Sequence, residues 1–265
     1  MEMTSPSYII VMKNRDEIYD IIIFSIMVAL AYVGTFIMIP LPTGGKIHLG
    51  NLVCIISALL LGGVKGGLVG SIGMGLNDLH FFLDTPSTII QTIIMKFFMG
   101  LICGLIFNLI RNKNTSKKTN VSILLSISAI FMIGFILTLV GNLNGGITVN
   151  GTTTNIHVLV PTSCILFSFL FILATFFINS KTQIYQHVLI ATSIATLFNI
   201  FGEFLFRIIL NVFIDNYGFM PSVVMSLAKI PATLLTGILT TLAATILFPL
   251  LSKALSYKLN DRDSI

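Results

Sequence analysis

Long apolar runs occupy most of this chain and limit the folds that it can adopt. Apolar residues, counted with Tyr and Cys, make up 55% of the sequence, and charged residues only 9%. A helix needs roughly 20 apolar residues to cross a bilayer, so these runs predict transmembrane helices. We expect an all-α polytopic membrane helix bundle with eight spans, at 19–39, 48–63, 66–83, 88–110, 121–141, 157–178, 187–213 and 221–254.

The segments outside these runs are too short to fold by themselves. We therefore expect a cytoplasmic N-terminal segment at 1–18, a single transmembrane domain at 19–255 and a cytoplasmic tail at 256–265. The first run lacks the small-residue cleavage site of a signal peptide, so it is expected to remain as a span. Any function then has to be carried out within the membrane bundle.

The basic residues indicate how the spans are oriented. Under the eight-span arrangement, eleven Lys and Arg residues lie on one side of the membrane and only Lys46 lies in a loop on the other. Such residues accumulate on the cytoplasmic side of membrane proteins. Both termini of this multi-pass cell-membrane protein are therefore expected in the cytoplasm. The net charge of +5 follows from this bias, and no nucleic-acid partner is expected.

Ionisable side chains occur inside several of the apolar runs. Each costs about 2.5–3.5 kcal/mol near the bilayer centre, so such residues usually face a cavity or one another. Counting residues from the adjoining loops places them in the outer half of the membrane. We therefore predict an outward-facing substrate pocket. The predicted substrate-binding residues are His48, Asn51, Asn77, Asp78, Lys96, Glu203, Arg207 and Lys229.

Some of these residues have a purely structural alternative. Glu203 and Arg207 are spaced i,i+4 and can form an internal salt bridge that only compensates for their own burial. Lys96 has no acidic residue at helical spacing, so its acceptor has to be Asp78, Glu203 or an anionic ligand. Lys229 can instead extend towards the membrane interface.

The motifs of several other functions are missing from the sequence. It contains neither the GxxxxGK[ST] phosphate loop of ATPases nor the HExxH motif of metalloproteases. Cys54, Cys103 and Cys164 lie in apolar runs without CxxC spacing, so neither a metal nor a cofactor is expected. Two other functions stay open, a stand-alone secondary carrier and an intramembrane enzyme that uses Glu203 as its acid or base.

Two segments of the chain carry a family resemblance. The run KIHLGNLVCIISALLLGGVKGGLVGSIGMGLND, from Lys46 to Asp78, is followed by KFFMGLICG, from Lys96 to Gly104. This ordered set resembles the substrate-binding S component of energy-coupling-factor (ECF) transporters, in particular the members associated with riboflavin and hydroxymethylpyrimidine uptake. The resemblance covers residues 19–110 and, more loosely, 187–254.

The resemblance implies a six-helix membrane protein that captures a vitamin or vitamin precursor from outside, beneath a lid formed by the first external loop. It implies a binding subunit that is not an enzyme. The implied partners are a transmembrane coupling subunit and two cytoplasmic ATPases. Ser25 and Ala29 are the nearest match to the small-residue motif with which the family contacts its coupling subunit. The hairpin at 121–178 is expected to be an addition to the six-helix core.

Overall fold

Helices form most of the chain in a computed structural model. The structure describes residues 6–41, 46–83, 85–113, 116–145, 147–149, 152–154, 161–162, 164–169, 172 and 183–260. The helices with defined bounds in this part of the chain are α1 (Pro6–Phe36), α2 (Gly50–Leu61), α3 (Gly63–Phe81), α4 (Pro86–Lys113), α5 (Lys117–Leu143), α6 (Gln183–Phe213) and α7 (Phe219–Asn260).

The helices agree with the predicted membrane bundle. Further helical residues lie at 161–162, 164–169 and 172, so each of the eight predicted spans contains helical residues. Within the described ranges, five helices are long and apolar enough to cross a membrane: Ile18–Phe36, Pro86–Lys113, Lys118–Leu143, Gln183–Phe213 and Phe219–Ala254. The all-α polytopic membrane bundle is therefore confirmed. Most of the second half of the predicted extra hairpin, 157–178, lies outside the described residues.

The second and third predicted spans form a tight pair of short helices. The apolar helix α2 has 12 residues, about 18 Å of helix, which is less than the roughly 30 Å of a hydrocarbon core. Gly62 alone separates α2 from α3 and has a φ of 90°. Glycine is favoured at positive φ because it has no Cβ. The chain can therefore reverse direction within one residue.

A β-hairpin follows α1, where the sequence predicted the end of a span and a loop. Strands β1 (Met38–Pro40) and β2 (Lys46–His48) pair antiparallel, with Met38 opposite His48. The first span thus ends at Phe36 rather than at residue 39. Strand β2 contacts both α1 and α7, so the β1–β2 hairpin covers one end of the bundle. A second hairpin joins β3 (Ile147–Val149) to β4 (Thr152–Thr154).

Glycines let α3 pack closely against α4. A Cβ added at Gly67 would lie 2.5 Å from the Phe97 carbonyl oxygen, and one at Gly100 would lie 2.5 Å from the Gly67 backbone nitrogen. A side chain at either position would clash with backbone, so the two helices can approach this closely only where both carry glycine. This packing sets the separation of the α3 and α4 residues that line the site described below.

Two clusters of buried apolar side chains hold the remaining helices. One includes Cys54, Met99 and Phe107 from α2 and α4 together with Val188 from α6 and Phe248 from α7. The other joins α5 to α6 and α7 through residues that include Leu124, Phe131, Leu189, Leu234 and Ile238. The first half of the extra hairpin, α5, is thereby packed onto the core of the bundle.

The close contact between α3 and α4 predicts opposite effects for two glycine substitutions. Gly100→Ala is expected to lower the free energy of unfolding by about 1–3 kcal/mol, because the clashing atoms belong to the backbone. Gly134→Ala on α5 is the matched control, since its Cβ would make an ordinary contact with Cys164 Sγ at 3.8 Å. Alanine also has the higher helix propensity there. Thermal unfolding in detergent measures both effects, and equal melting temperatures would contradict the packing.

Candidate functional site

A cavity lies between the β1–β2 hairpin and the adjoining ends of α3, α4, α6 and α7. Its volume is about 370 Å³, which is within the range of roughly 300–1,000 Å³ found for small-molecule sites. The hairpin contributes residues from both of its strands to the cavity wall. The charged side chains that line the cavity are Lys46, Asp78, Lys96, Glu203, Arg207 and Lys229.

Three of these charged residues lie at the same depth in the bundle. Lys96 follows the start of α4 at Pro86, Glu203 precedes the end of α6 at Phe213, and Lys229 follows the start of α7 at Phe219. Each is about ten residues, or roughly 15 Å of helix, from the end of the bundle that the β1–β2 hairpin covers. The helices thus bring these side chains together below the hairpin.

Lys96 and Glu203 form a buried ion pair. The Lys96 ammonium donates to Glu203 Oε1 at 2.5 Å and to Asn199 Oδ1 at 3.1 Å. Lys96 is only 5% exposed, so a charge at this position requires a partner. The sequence left Asp78, Glu203 or an anionic ligand as possible acceptors for Lys96, and in the structure Lys96 contacts Glu203.

The Glu203 carboxylate also connects α6 to α7. Its Oε1 accepts a hydrogen bond from Asn199 Nδ2 at 3.0 Å, and its Oε2 accepts one from the Thr233 hydroxyl at 3.3 Å. The backbone carbonyl of Glu203 accepts from Gln91 Nε2 on α4 at 2.9 Å. One residue therefore holds three helices in register at the floor of the cavity.

Arg207 does not form the salt bridge with Glu203 that their i,i+4 spacing allowed. Among the described residues, the ion pairs are Lys46–Asp78, Lys65–Asp20 and Lys96–Glu203. Since Glu203 pairs with Lys96, the internal Glu203–Arg207 salt bridge is not formed. Arg207 and Lys229 are both half-buried and line the cavity. Lys229 thus lines the cavity and does not extend towards the membrane interface.

Asp78 connects the hairpin to the helices beneath it. Its Oδ2 accepts a hydrogen bond from the Thr92 hydroxyl on α4 at 2.5 Å. Its Oδ1 lies 3.7 Å from the ammonium of Lys46 on β2. The same ammonium lies 5.3 Å from the centre of the Phe82 ring, a cation–π distance. Lys46, which the sequence left out of the predicted binding set, thus fixes β2 over the end of α3.

His48 contributes an uncharged imidazole to the cavity. It lies on β2, outside the helices, and its Nδ1 has no hydrogen-bond partner among the residues that the structure describes. Burial is the main reason that the pKa of His48 is lowered to about 3, and the nearby Lys96 and Lys46 lower this pKa further. At neutral pH the ring is neutral, so it can both donate and accept a hydrogen bond.

Asn51 and Asn77 differ from the other predicted binding residues. Both are buried, but neither is among the residues that line the cavity. Within the described part of the chain, Asn51 Oδ1 and Asn77 Nδ2 have no hydrogen-bond partner. The remaining six residues of the predicted set all line the cavity.

Much of the cavity wall was missed by sequence reasoning. Thr92 and Thr233 lie one helical turn from Lys96 and Lys229, so their spacing was a usable indication of a shared face. The apolar lining carried no comparable indication, because similar side chains also face lipid. The lining residues outside the predicted set are Thr35, Met38, Pro40, Leu41, Lys46, Met74, Phe82, Thr88, Thr92, Ala232 and Thr233.

An open apolar groove of about 920 Å³ lies on another face, between α1 and α3. Ser25 and Ala29, the predicted partner contacts, line this groove and are exposed. The Ser25 hydroxyl donates to the Ile21 carbonyl of its own helix at 2.8 Å. Little polar surface is therefore presented along this part of α1.

Sequence comparisons relate this arrangement to a known family. A family model described as "ECF-type riboflavin transporter, S component" matches residues 15–183. The matched part contains the β1–β2 hairpin, Asp78 and Lys96, whereas Glu203, Arg207 and Lys229 lie beyond it. Searches of curated proteins and of solved structures find no significant match.

The match covers more than half of the chain and confirms the resemblance seen in the sequence. The family is one of transporter substrate-binding subunits and not of enzymes. Its members are membrane proteins, in agreement with the apolar helices of this chain. The chain belongs to the S component family of ECF-type riboflavin transporters.

Proposed function

We propose that this S component binds a vitamin or vitamin precursor in the cavity beneath the β1–β2 hairpin and acts within an ATP-driven importer. The observation that carries the proposal is the cavity with a buried ion pair at its floor. Buried charges inside a membrane protein are costly and commonly mark a substrate site. The matched family is named for riboflavin, which makes riboflavin the first ligand to test.

The proposed cavity opens to the outside of the cell. Support comes from the distribution of basic residues, since Lys and Arg accumulate on the cytoplasmic side of membrane proteins. The loop between α1 and α2 would then lie outside and both termini in the cytoplasm. The hairpin formed in that loop lines the cavity. A ligand would then enter from outside and be covered by the hairpin.

Energy for transport is proposed to come from partners. The sequence has no phosphate loop of its own, so a transmembrane coupling subunit and two cytoplasmic ATPases would supply the coupling. The groove between α1 and α3 is the proposed contact for the coupling subunit. Its lining includes Ser25, Ala29, Leu76 and Leu79, and small residues on α1 allow close approach of a partner helix.

Ligand binding is tested most simply by thermal shift. The purified protein is heated with riboflavin, hydroxymethylpyrimidine and other vitamins at micromolar concentration. A ligand present at a hundred times its Kd stabilises the folded state by about 2.7 kcal/mol, so the melting temperature should rise by several degrees. If no member of the panel raises it, capture is contradicted.

The ligand identified by thermal shift also tests which side of the membrane the cavity faces. Sealed right-side-out vesicles should bind it without permeabilisation, whereas inverted vesicles should bind it only after permeabilisation. The opposite pattern would reverse the proposed orientation.

The buried ion pair predicts a non-additive response to mutation. Lys96→Met or Glu203→Gln alone leaves a buried charge without its partner, which typically costs about 3–5 kcal/mol. The double variant removes both charges and should regain most of the lost stability, while its ligand affinity stays reduced. The measurements are the melting temperature and the Kd of each variant. Additive losses in the double variant would contradict the ion pair.

The exposed ion pair between Lys65 and Asp20 is the matched control. The two side chains are 46% and 54% exposed, and such surface pairs contribute about 0–1 kcal/mol. Lys65→Met, Asp20→Asn and their combination should therefore change the melting temperature little and leave the Kd unchanged.

If the groove between α1 and α3 contacts the coupling subunit, a substitution in it should reduce transport without changing ligand binding. Ala29→Leu should fill part of the groove, weaken copurification with the coupling subunit and reduce ligand uptake by cells. The Kd of the purified protein should stay within about twofold, because the groove and the cavity have separate lining residues. Ala129→Leu, at an exposed position on α5, is the control. Normal uptake by the Ala29→Leu variant would contradict this contact.

A further inference from the structure

The cavity contains two cations whose charge is not balanced by a carboxylate. Both carboxylates in the cavity already have partners. Glu203 accepts a hydrogen bond from Lys96, and Asp78 lies beside Lys46 and accepts a hydrogen bond from Thr92. No ion pair within the described part of the chain includes Arg207 or Lys229. Four cations and two carboxylates line the cavity, so its wall carries two positive charges in excess.

Arg207 and Lys229 lie close enough to act on one group. Arg207 is on α6 and Lys229 is on α7, and both line a small void between these helices as well as the main cavity. The void has a volume of about 10 Å³, which is room for about one water molecule. Glu203 also lines this void, but its carboxylate is paired with Lys96. Since like charges repel strongly where water is scarce, a second group of opposite charge near Arg207 and Lys229 would lower the energy of this arrangement.

A third carboxylate, that of Asp215, attracts Arg207 from a distance without forming an ion pair with it. Asp215, just beyond the end of α6, accepts a hydrogen bond from the Ser87 hydroxyl at 2.5 Å. It forms no ion pair with Arg207 within 4.0 Å, as the salt bridges of the described residues show. The guanidinium of Arg207 therefore keeps its planar set of donors, whose geometry matches carboxylate and phosphate groups.

We propose that the captured ligand carries an oxyanion, a phosphate or a carboxylate, that is bound by Arg207 and Lys229. This inference rests on the proposed function, since it assigns a ligand class to the same cavity. Riboflavin, for which the matched family is named, is neutral. The charges of this cavity instead favour a phosphorylated or carboxylated vitamin or precursor.

Matched ligand pairs test the oxyanion directly. The pairs are riboflavin and riboflavin 5′-phosphate, pyridoxal and its phosphate, nicotinamide and nicotinate, and pantothenol and pantothenate. The purified full-length protein is titrated with each compound. The anionic member of at least one pair should bind at least tenfold more tightly than its neutral counterpart.

Variants that remove one positive charge then show which side chains of the protein bind the anionic group of the ligand. Arg207→Gln and Lys229→Gln should each weaken binding of the anionic member by about ten- to a hundredfold, as expected for hydrogen bonds to a charged group. Binding of the neutral member should change less than about threefold. Lys113→Gln, at an exposed position near the end of α4, removes a charge outside the cavity and should change neither.

The outcomes separate this inference from the proposed function. Tight binding of a neutral compound, with a Kd unchanged by Arg207→Gln and Lys229→Gln, would overturn the oxyanion site but leave substrate capture standing. Failure of every compound to bind would overturn both. Arg207→Lys keeps the charge, so it should retain more affinity for the anionic member than Arg207→Gln, which distinguishes a lost contact from a misfolded variant.

Discussion

The buried ion pair between Lys96 and Glu203 is the interaction on which the site depends. Two charges buried side by side within a membrane bundle are costly unless they are paired and further hydrogen bonded. Asn199 and Thr233 supply those additional hydrogen bonds. Since these four residues come from α4, α6 and α7, satisfying the charges also fixes the positions of the three helices. The same contacts form the floor of the cavity.

Several contacts join α3, α4 and the β1–β2 hairpin at different depths of the bundle. Gly67, near the start of α3, and Gly100, in the middle of α4, bring these two helices together, and the hydrogen bond from Thr92 to Asp78 joins them nearer the β1–β2 hairpin. Lys46 then ties the hairpin to Asp78. A continuous set of contacts thus runs from the helix interior to the hairpin.

The sequence predicted the bundle and the need of Lys96 for a tertiary acceptor, but not which acceptor it would have. Spacing along α6 favoured Arg207 as the partner of Glu203, and only the packing of α4 against α6 brings Lys96 closer. The hairpin was missed because strands of three residues show no periodicity. Asn51 was included because it lies at the mouth of a short span after the first external loop, and Asn77 because it approaches the external end of the third span. Position along a helix does not distinguish a cavity wall from the packed interior.

Substrate capture by this S component requires that a ligand occupy the cavity between the β1–β2 hairpin and the Lys96–Glu203 pair. The most direct measurement is an experimental structure determined with the tightest-binding compound. The ligand is expected within hydrogen-bond distance of the cavity's charged side chains and covered by Met38 and His48, which line the cavity from the hairpin. Ligand density in the groove between α1 and α3, with the cavity empty, would contradict this assignment.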